Sequence, residues 1–318
     1  MEHDTKGDKD VDMSEILKAA LFGLVEGITE WLPISSTGHM LLLNQFVTLE
    51  VSRDFWDMFL VVIQLGAILA VCVLFFRNLN PFSRTKTTDE RHGTWRLWGQ
   101  IILACIPAAV IGIPLDDWME EHLGSPFVIA AALIIYGIAF IVIENHRMLR
   151  AASLAASSGK SRHMALPVHD TPAELADADA RVQDIRQLGW FTAIGIGLFQ
   201  VLSIVPGTSR SGSTIIGGLL LGCTRTVAAE FTFYLAVPVM FGASALRLVK
   251  YFLKGNVFSY EEAIILLVGC VVAWVISLIA IKFLMNFVKK HDFKPFGWYR
   301  IVLGCITLAY FLPSVLGL

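Results

Sequence analysis

Residues 189–222 read GWFTAIGIGLFQVLSIVPGTSRSGSTIIGGLLLG, an apolar run that stops at Pro206-Gly207 and a second one that begins a few residues later. The part after the break, 208–222, amounts to about 22 Å of helix, too short to cross a hydrocarbon layer about 30 Å thick. What flanks the stretch decides how it is used. It follows a segment, 145–188, that carries Arg147, Arg150, Lys160, Arg162, Arg181 and Arg186. Two further apolar runs, 227–247 and 263–287, then lead to Lys289, Lys290 and Lys294. The positive-inside rule puts both basic regions in the cytoplasm. Two spans already make the return trip, so 189–222 must enter and leave on one face as a re-entrant pair of half-helices.

The remainder of the chain supports a membrane setting. Of 318 residues 55% are hydrophobic and only 16% charged, with a mean hydropathy of +0.65. Soluble domains carry roughly 25% charged residues. A net charge of −2 without a basic patch argues against nucleic acid as a partner. Apolar runs of membrane length also occur at 59–76, 97–115, 126–143 and 299–316. Cys72, Cys105, Cys223, Cys270 and Cys305 lie singly in or beside such runs and read as small hydrophobes. Residues 1–14 are acidic, unlike the basic start of a signal peptide, and read as a polar tail.

The first half repeats the layout of the second. A helix over 15–32 stops at Pro33, a short apolar run follows at 36–48, and three spans come after it. Segment 77–96 is basic and placed inside, whereas 116–125 holds Asp116, Asp117, Glu120 and Glu121 and is placed outside. Pro33-Ile34-Ser35-Ser36-Thr37-Gly38 aligns with Pro206-Gly207-Thr208-Ser209-Arg210-Ser211. Three spans is an odd number, so the second copy would be upside down relative to the first. The expected fold is thus an all-α polytopic integral membrane protein of two inverted repeats, each a re-entrant helix hairpin followed by three transmembrane helices. The repeats would occupy 15–144, with hairpin 15–48, and 189–318, with hairpin 189–222. Segment 145–188 would be a flexible cytoplasmic loop, and the broken helices would meet near the midplane.

Chemistry is expected where charge sits inside apolar segments. Glu26 and Glu30 are one helical turn apart on one face. An ionised acid there costs about 2.5–3.5 kcal/mol, which makes the pair a candidate for binding Mg²⁺ or Ca²⁺, or for a metal ligand plus an acid/base group. Ser35, Ser36 and Thr37 follow Pro33, and His39 is three residues after Ser36, so on the same side of a helix. The hydroxyls are N-cap candidates or ligands. In the second turn, Ser209, Arg210, Ser211, Ser213 and Thr214 bring a permanent cation and several hydroxyl donors to a helix N-terminus. Each of these features favours phosphate. The turn is neither a G-x-x-x-x-G-K-[ST] loop, since it has no Lys, nor a G-x-S-x-G elbow, since position 211 is Ser.

The stretch Leu24-Val25-Glu26-Gly27-Ile28-Thr29-Glu30-Trp31-Leu32-Pro33-Ile34-Ser35-Ser36-Thr37-Gly38-His39-Met40 and the turn Pro206–Thr214 together resemble the bacterial undecaprenyl-diphosphate phosphatases, the bacitracin-resistance family. Val61-Val62-Ile63-Gln64-Leu65-Gly66, Glu230-Phe231-Thr232-Phe233 and Trp298-Tyr299-Arg300 extend the similarity over nearly the whole chain. The resemblance implies hydrolysis of a C55 isoprenoid diphosphate to the monophosphate carrier and inorganic phosphate, with Mg²⁺ or Ca²⁺. It implies catalytic roles for His39, Ser36, Glu30 and Arg210, substrate contacts from Ser35, Thr37, Ser209, Arg210, Ser211 and Thr214, and metal ligation by Glu26 and Glu30. The attacking group is then either Ser36, with His39 taking its proton, or a water activated by His39 or the metal. Expected partners are the bilayer, a polyprenyl diphosphate lipid and a second copy of the chain. The expected place is the bacterial inner membrane, with the cavity open to the periplasmic or outer side. A secondary transporter or flippase for a polyprenyl phosphate would use the same anion site; the acids and His39 favour hydrolysis over it.

Overall fold

The computed structural model describes residues 12–157 and 172–316. Most of the expected polar tail and the middle of segment 145–188 lie outside the described residues. The described residues form helices α1 (Met13–Thr29), α2 (Ser36–Leu43), α3 (Arg53–Leu74), α4 (Phe76–Leu79), α5 (Thr88–Leu123), α6 (Pro126–Ser157), α7 (Pro172–Ala178), α8 (Trp190–Val201), α9 (Arg210–Leu220), α10 (Arg225–Leu253), α11 (Tyr260–Phe287) and α12 (Lys294–Leu316). Helix starts are written in the sequence. Ser52 caps α3, Thr224 caps α10, and Thr87 with Glu90 and Ser259 with Glu262 form reciprocal capping boxes at α5 and α11.

Six stretches, Arg53–Leu74, Thr88–Leu115, Pro126–Leu154, Arg225–Leu253, Tyr260–Phe287 and Lys294–Pro313, are long and apolar enough to cross a membrane. These are the six full spans expected from hydropathy. Their outer faces expose Ile102, Val110, Ile135, Leu267 and Ile279. An apolar surface of that kind is costly in water and matched in lipid. Both proline-terminated runs are broken helices: α1 gives way at Pro33 to α2, and α8 passes through the 3₁₀ turn Leu202–Ile204 and Pro206 to α9.

Packing between the halves is reciprocal. Helix α1 lies on α11, the middle span of the second half, and α8 lies on α5, the middle span of the first, while α3 meets α10 and α6 meets α12. The approach of α1 to α11 needs a residue without a side chain. A Cβ on Gly27 would sit 2.8 Å from the Ala273 carbonyl oxygen, and Ser277 Oγ donates to the Gly27 carbonyl at 3.3 Å.

Segment 145–188 differs from the expected loop at both ends. Helix α6 continues to Ser157 through the alanine-rich run after Arg150, where helix propensity is highest. Pro172 starts α7, and Val182 then pairs with Cys223 in an isolated bridge. Charge holds this return in place. Asp177 of α7 sits 3.1 Å from Arg225 Nη1 and 3.0 Å from Arg147 Nη2. Arg225 also donates to both oxygens of Glu144, at 2.8 and 2.5 Å, with both side chains fully buried.

Breaking such a pair leaves an uncompensated buried charge, at a cost of about 3–5 kcal/mol. Glu144→Ala is therefore expected to lower the thermal midpoint of the protein in detergent by several degrees. Glu144→Leu combined with Arg225→Met is expected to recover most of that loss, as measured by thermal unfolding of the two purified variants.

Candidate active site

Both broken helices turn through a serine in the left-handed region, Ser35 at φ 72° and Ser209 at φ 71°. A non-glycine residue in such a conformation stores roughly 1–3 kcal/mol of strain. The return is a cap: Ser35 Oγ accepts from Gly38 N at 3.5 Å, and Ser209 Oγ from Gly212 N at 3.1 Å. The two turns are thus equivalent with Ser35 opposite Ser209, and Ser36 opposite Arg210. The alignment on Pro33 and Pro206 was one residue out of register. Counted from the serines the two segments run in step, with Gly207 standing opposite Pro33 and at φ 88°, where a Cβ would lie 2.6 Å from the Ile129 carbonyl oxygen.

Arg300 of α12 ties these turns together. It is fully buried, and its guanidinium donates to the carbonyls of Pro33 (3.3 Å), Gly207 (2.9 Å), Thr208 (2.9 Å) and Leu133 (3.4 Å). Its other face lies 5.6 Å from the Tyr136 ring centroid.

The turns meet at a small cluster of charged and hydroxyl groups. Glu30 Oε1 accepts from Arg210 Nη2 at 2.9 Å, and Glu30 Oε2 accepts from Ser36 Oγ at 2.8 Å. Ser211 Oγ donates to the Glu30 carbonyl at 3.1 Å and lies 3.2 Å from Ser209 Oγ. Arg210 is steadied by the Thr232 carbonyl at 3.4 Å. Glu26, one turn before Glu30, is 1% exposed, and its Oε1 has no hydrogen-bond partner in the protein.

Beside this cluster opens a cavity of about 920 Å³, large enough for a diphosphate and the start of a lipid chain. Of the residues expected at the site, Glu26, Ser36, Thr37 and Arg210 line it. Glu30 is bonded to two of them. Ser35, Ser209 and Ser211 are engaged within the turns. Thr214 lies behind Arg210: its Oγ1 donates to the Arg210 carbonyl at 2.9 Å and accepts from Thr232 Oγ1 at 2.8 Å.

His39 is placed differently from the expected pairing with Ser36. Its Nδ1 meets the Ser35 carbonyl at 2.7 Å, its Nε2 meets Tyr299 Oη at 2.7 Å, and the ring stacks on Tyr299. These bonds hold His39 against α12, while Ser36 is bonded to Glu30.

Metal fit rests on the acids. Among the described residues, no three His, Cys, Asp or Glu side chains converge as a metal-binding group. Two carboxylates, one with an unpartnered buried oxygen, still match the way Mg²⁺ is held by one or two carboxylates with substrate phosphates.

Sequence reasoning did not assign Arg300, Thr232, Tyr299 or Gln200. The first three lay in quoted motifs, yet only the fold brings α10 and α12 against the turns.

A helical bundle with six membrane-length apolar helices and an arginine, a serine and a carboxylate bonded together beside an internal cavity is an integral membrane protein with a polar site inside it. The family described as bacitracin resistance protein BacA matches residues 19–306, and the chain belongs to it. It is 53% identical over 296 residues to the undecaprenyl-diphosphatase of Streptococcus thermophilus (strain ATCC BAA-250 / LMG 18311), covering 93% of each chain. It is 50% identical over 293 residues to that of Latilactobacillus sakei subsp. sakei (strain 23K), covering 92% of this chain and 96% of the relative. With the undecaprenyl-diphosphatase of Enterococcus faecalis (strain ATCC 700802 / V583) it shares 46% over 301 residues, 95% of this chain and 99% of that one.

Replacing Arg300 by Lys keeps the charge but cannot serve four carbonyls from one plane. Each buried carbonyl left unmet costs about 1–3 kcal/mol. Arg300→Lys is expected to melt several degrees lower and to lose at least tenfold in phosphate release; thermal unfolding and a phosphate assay on the same preparation check both.

Proposed function

We propose that the chain is an undecaprenyl-diphosphate phosphatase of the bacterial inner membrane, which hydrolyses the lipid diphosphate to the monophosphate and inorganic phosphate and thereby confers bacitracin resistance. The observation that carries the mechanism is the chain of contacts Ser36 Oγ to Glu30 to Arg210, at 2.8 and 2.9 Å. Ser36 is the nucleophile and Glu30, not His39, takes its proton. Oγ attacks the terminal phosphorus, the bond to the bridging oxygen breaks, and the prenyl monophosphate leaves. Water then opens the phosphoserine, releases phosphate, and the proton on Glu30 returns to Oγ. Arg210 and the amides at the start of α9 hold phosphate oxygens, which is most of what phosphoryl transfer requires. Ser35, Ser209, Ser211 and Thr214 set the turns; His39 with Tyr299 fixes α2 against α12. Glu26 and Glu30 would hold Mg²⁺ or Ca²⁺, which when bound neutralises diphosphate charge.

The inverted-repeat reading is supported by the reciprocal packing of α1 on α11 and α8 on α5, and by the matched serine turns. An outward opening is supported by the cavity lining. Trp56 and Leu60 come from the first half of α3, Ala109 and Ile113 from the second part of α5, and Ala243 and Arg247 from the second half of α10. These are the ends remote from the basic segments that the positive-inside rule assigns to the cytoplasm.

Ser36→Ala and Glu30→Gln are each expected to lower phosphate release from C55 diphosphate by about 10²–10⁴, the usual worth of a lost acid/base or nucleophile function. Brief incubation with labelled substrate is expected to leave label on Ser36 in the wild type. A Ser36→Ala protein with near-normal turnover would instead make water the attacking group.

A further inference from the structure

The pseudo-equivalence of the turns has a chemical consequence. Glu26 lies nine residues before Ser35, and Gln200 lies nine residues before Ser209, so the two occupy matched positions on α1 and α8. Both are 1% exposed, and both line the same cavity as Ser36 and Arg210. Neither Gln200 Oε1 nor Nε2 has a hydrogen-bond partner in the protein. More than nine in ten buried polar groups are paired, and an amide with both ends unmet carries the full cost of its lost hydration. A fold that retains such a group beside a phosphate-binding arginine is built for an occupant that supplies the missing partners.

Chemistry selects the occupant. The amide nitrogen offers two N–H donors where its counterpart on α1 offers only a carboxylate. A second carboxylate facing the cavity would repel a diphosphate, whereas a neutral donor adds to the grip of Arg210 without a counter-charge.

We infer that Gln200 is a substrate-binding residue, its side-chain N–H groups donating to oxygens of the diphosphate held by Arg210, so that α1 supplies the acidic side of the site and α8 the donor side. The inference rests on the phosphatase reading above.

The test compares wild type, Gln200→Met and Gln200→Glu, purified in detergent, by KM and kcat for C55 diphosphate and by thermal unfolding. Met keeps the volume and removes the unmet polar atoms, so Gln200→Met is expected to melt at or above the wild-type temperature. Its KM is expected to rise about tenfold, the worth of a hydrogen bond to a charged acceptor. Gln200→Glu is expected to raise KM further. A Gln200→Met protein that melts earlier than the wild type makes the residue structural and overturns the inference. So does a KM within twofold of wild type in both variants, whatever happens to kcat. Failure of the wild type to release phosphate overturns the phosphatase reading itself, a result distinct from three active proteins with equal KM.

Discussion

Everything at the centre of this protein depends on one buried guanidinium. The broken helices leave backbone carbonyls facing the interior at Pro33, Gly207 and Thr208, at a depth where no water can be counted on to satisfy them. Arg300 reaches all three, and Leu133 as well. A planar fork with five donors is the side chain whose geometry suits this, and the bonds also supply the partners that a buried cation requires. Because the carbonyls belong to both halves, the arginine fixes the distance between the turns. That distance sets whether Glu30 from one half can touch Arg210 from the other.

Similar backbones then carry different chemistry. Ser35 and Ser209 make matched left-handed caps, but the next residue is a hydroxyl in one half and a guanidinium in the other, Ser36 against Arg210. Nine residues before the caps, a carboxylate stands against an amide, Glu26 against Gln200. The repeat therefore supplies a frame in which two half-helices point into one cavity. Its divergence gives the frame one side of carboxylates and a hydroxyl and another of a guanidinium and an amide.

Much of this was legible in the sequence, for reasons that can be stated. Six spans follow from hydropathy because lipid imposes a length and a polarity. The broken helices follow from Pro33 and Pro206 and from runs too short to cross. Glu26, Glu30, Ser36 and Arg210 stand out because charge and hydrogen-bonding capacity are costly in that solvent. What stayed hidden depends on contacts between distant segments. The register of the two turns rests on the serine caps, one residue away from the one the prolines suggest. The role of Arg300 needs α12 laid against both hairpins. His39 meets Tyr299 instead of Ser36 because α12, distant in sequence, lies against α2. The return of α7 onto Arg225 pairs residues 48 apart, one of them in a segment whose composition resembles a plain linker.

The ion pair at the centre links binding to reactivity. A lone carboxylate or guanidinium in this setting would bear a heavy desolvation cost, so Glu30 and Arg210 hold each other at 2.9 Å with both side chains largely buried. On the proposed reading, a diphosphate enters by competing with Glu30 for Arg210. As it succeeds, the carboxylate gives up Arg210 and keeps its bond to Ser36. The displacement that seats the substrate thus leaves Glu30 bonded to Ser36, and the serine meets its base when there is phosphorus beside it to attack.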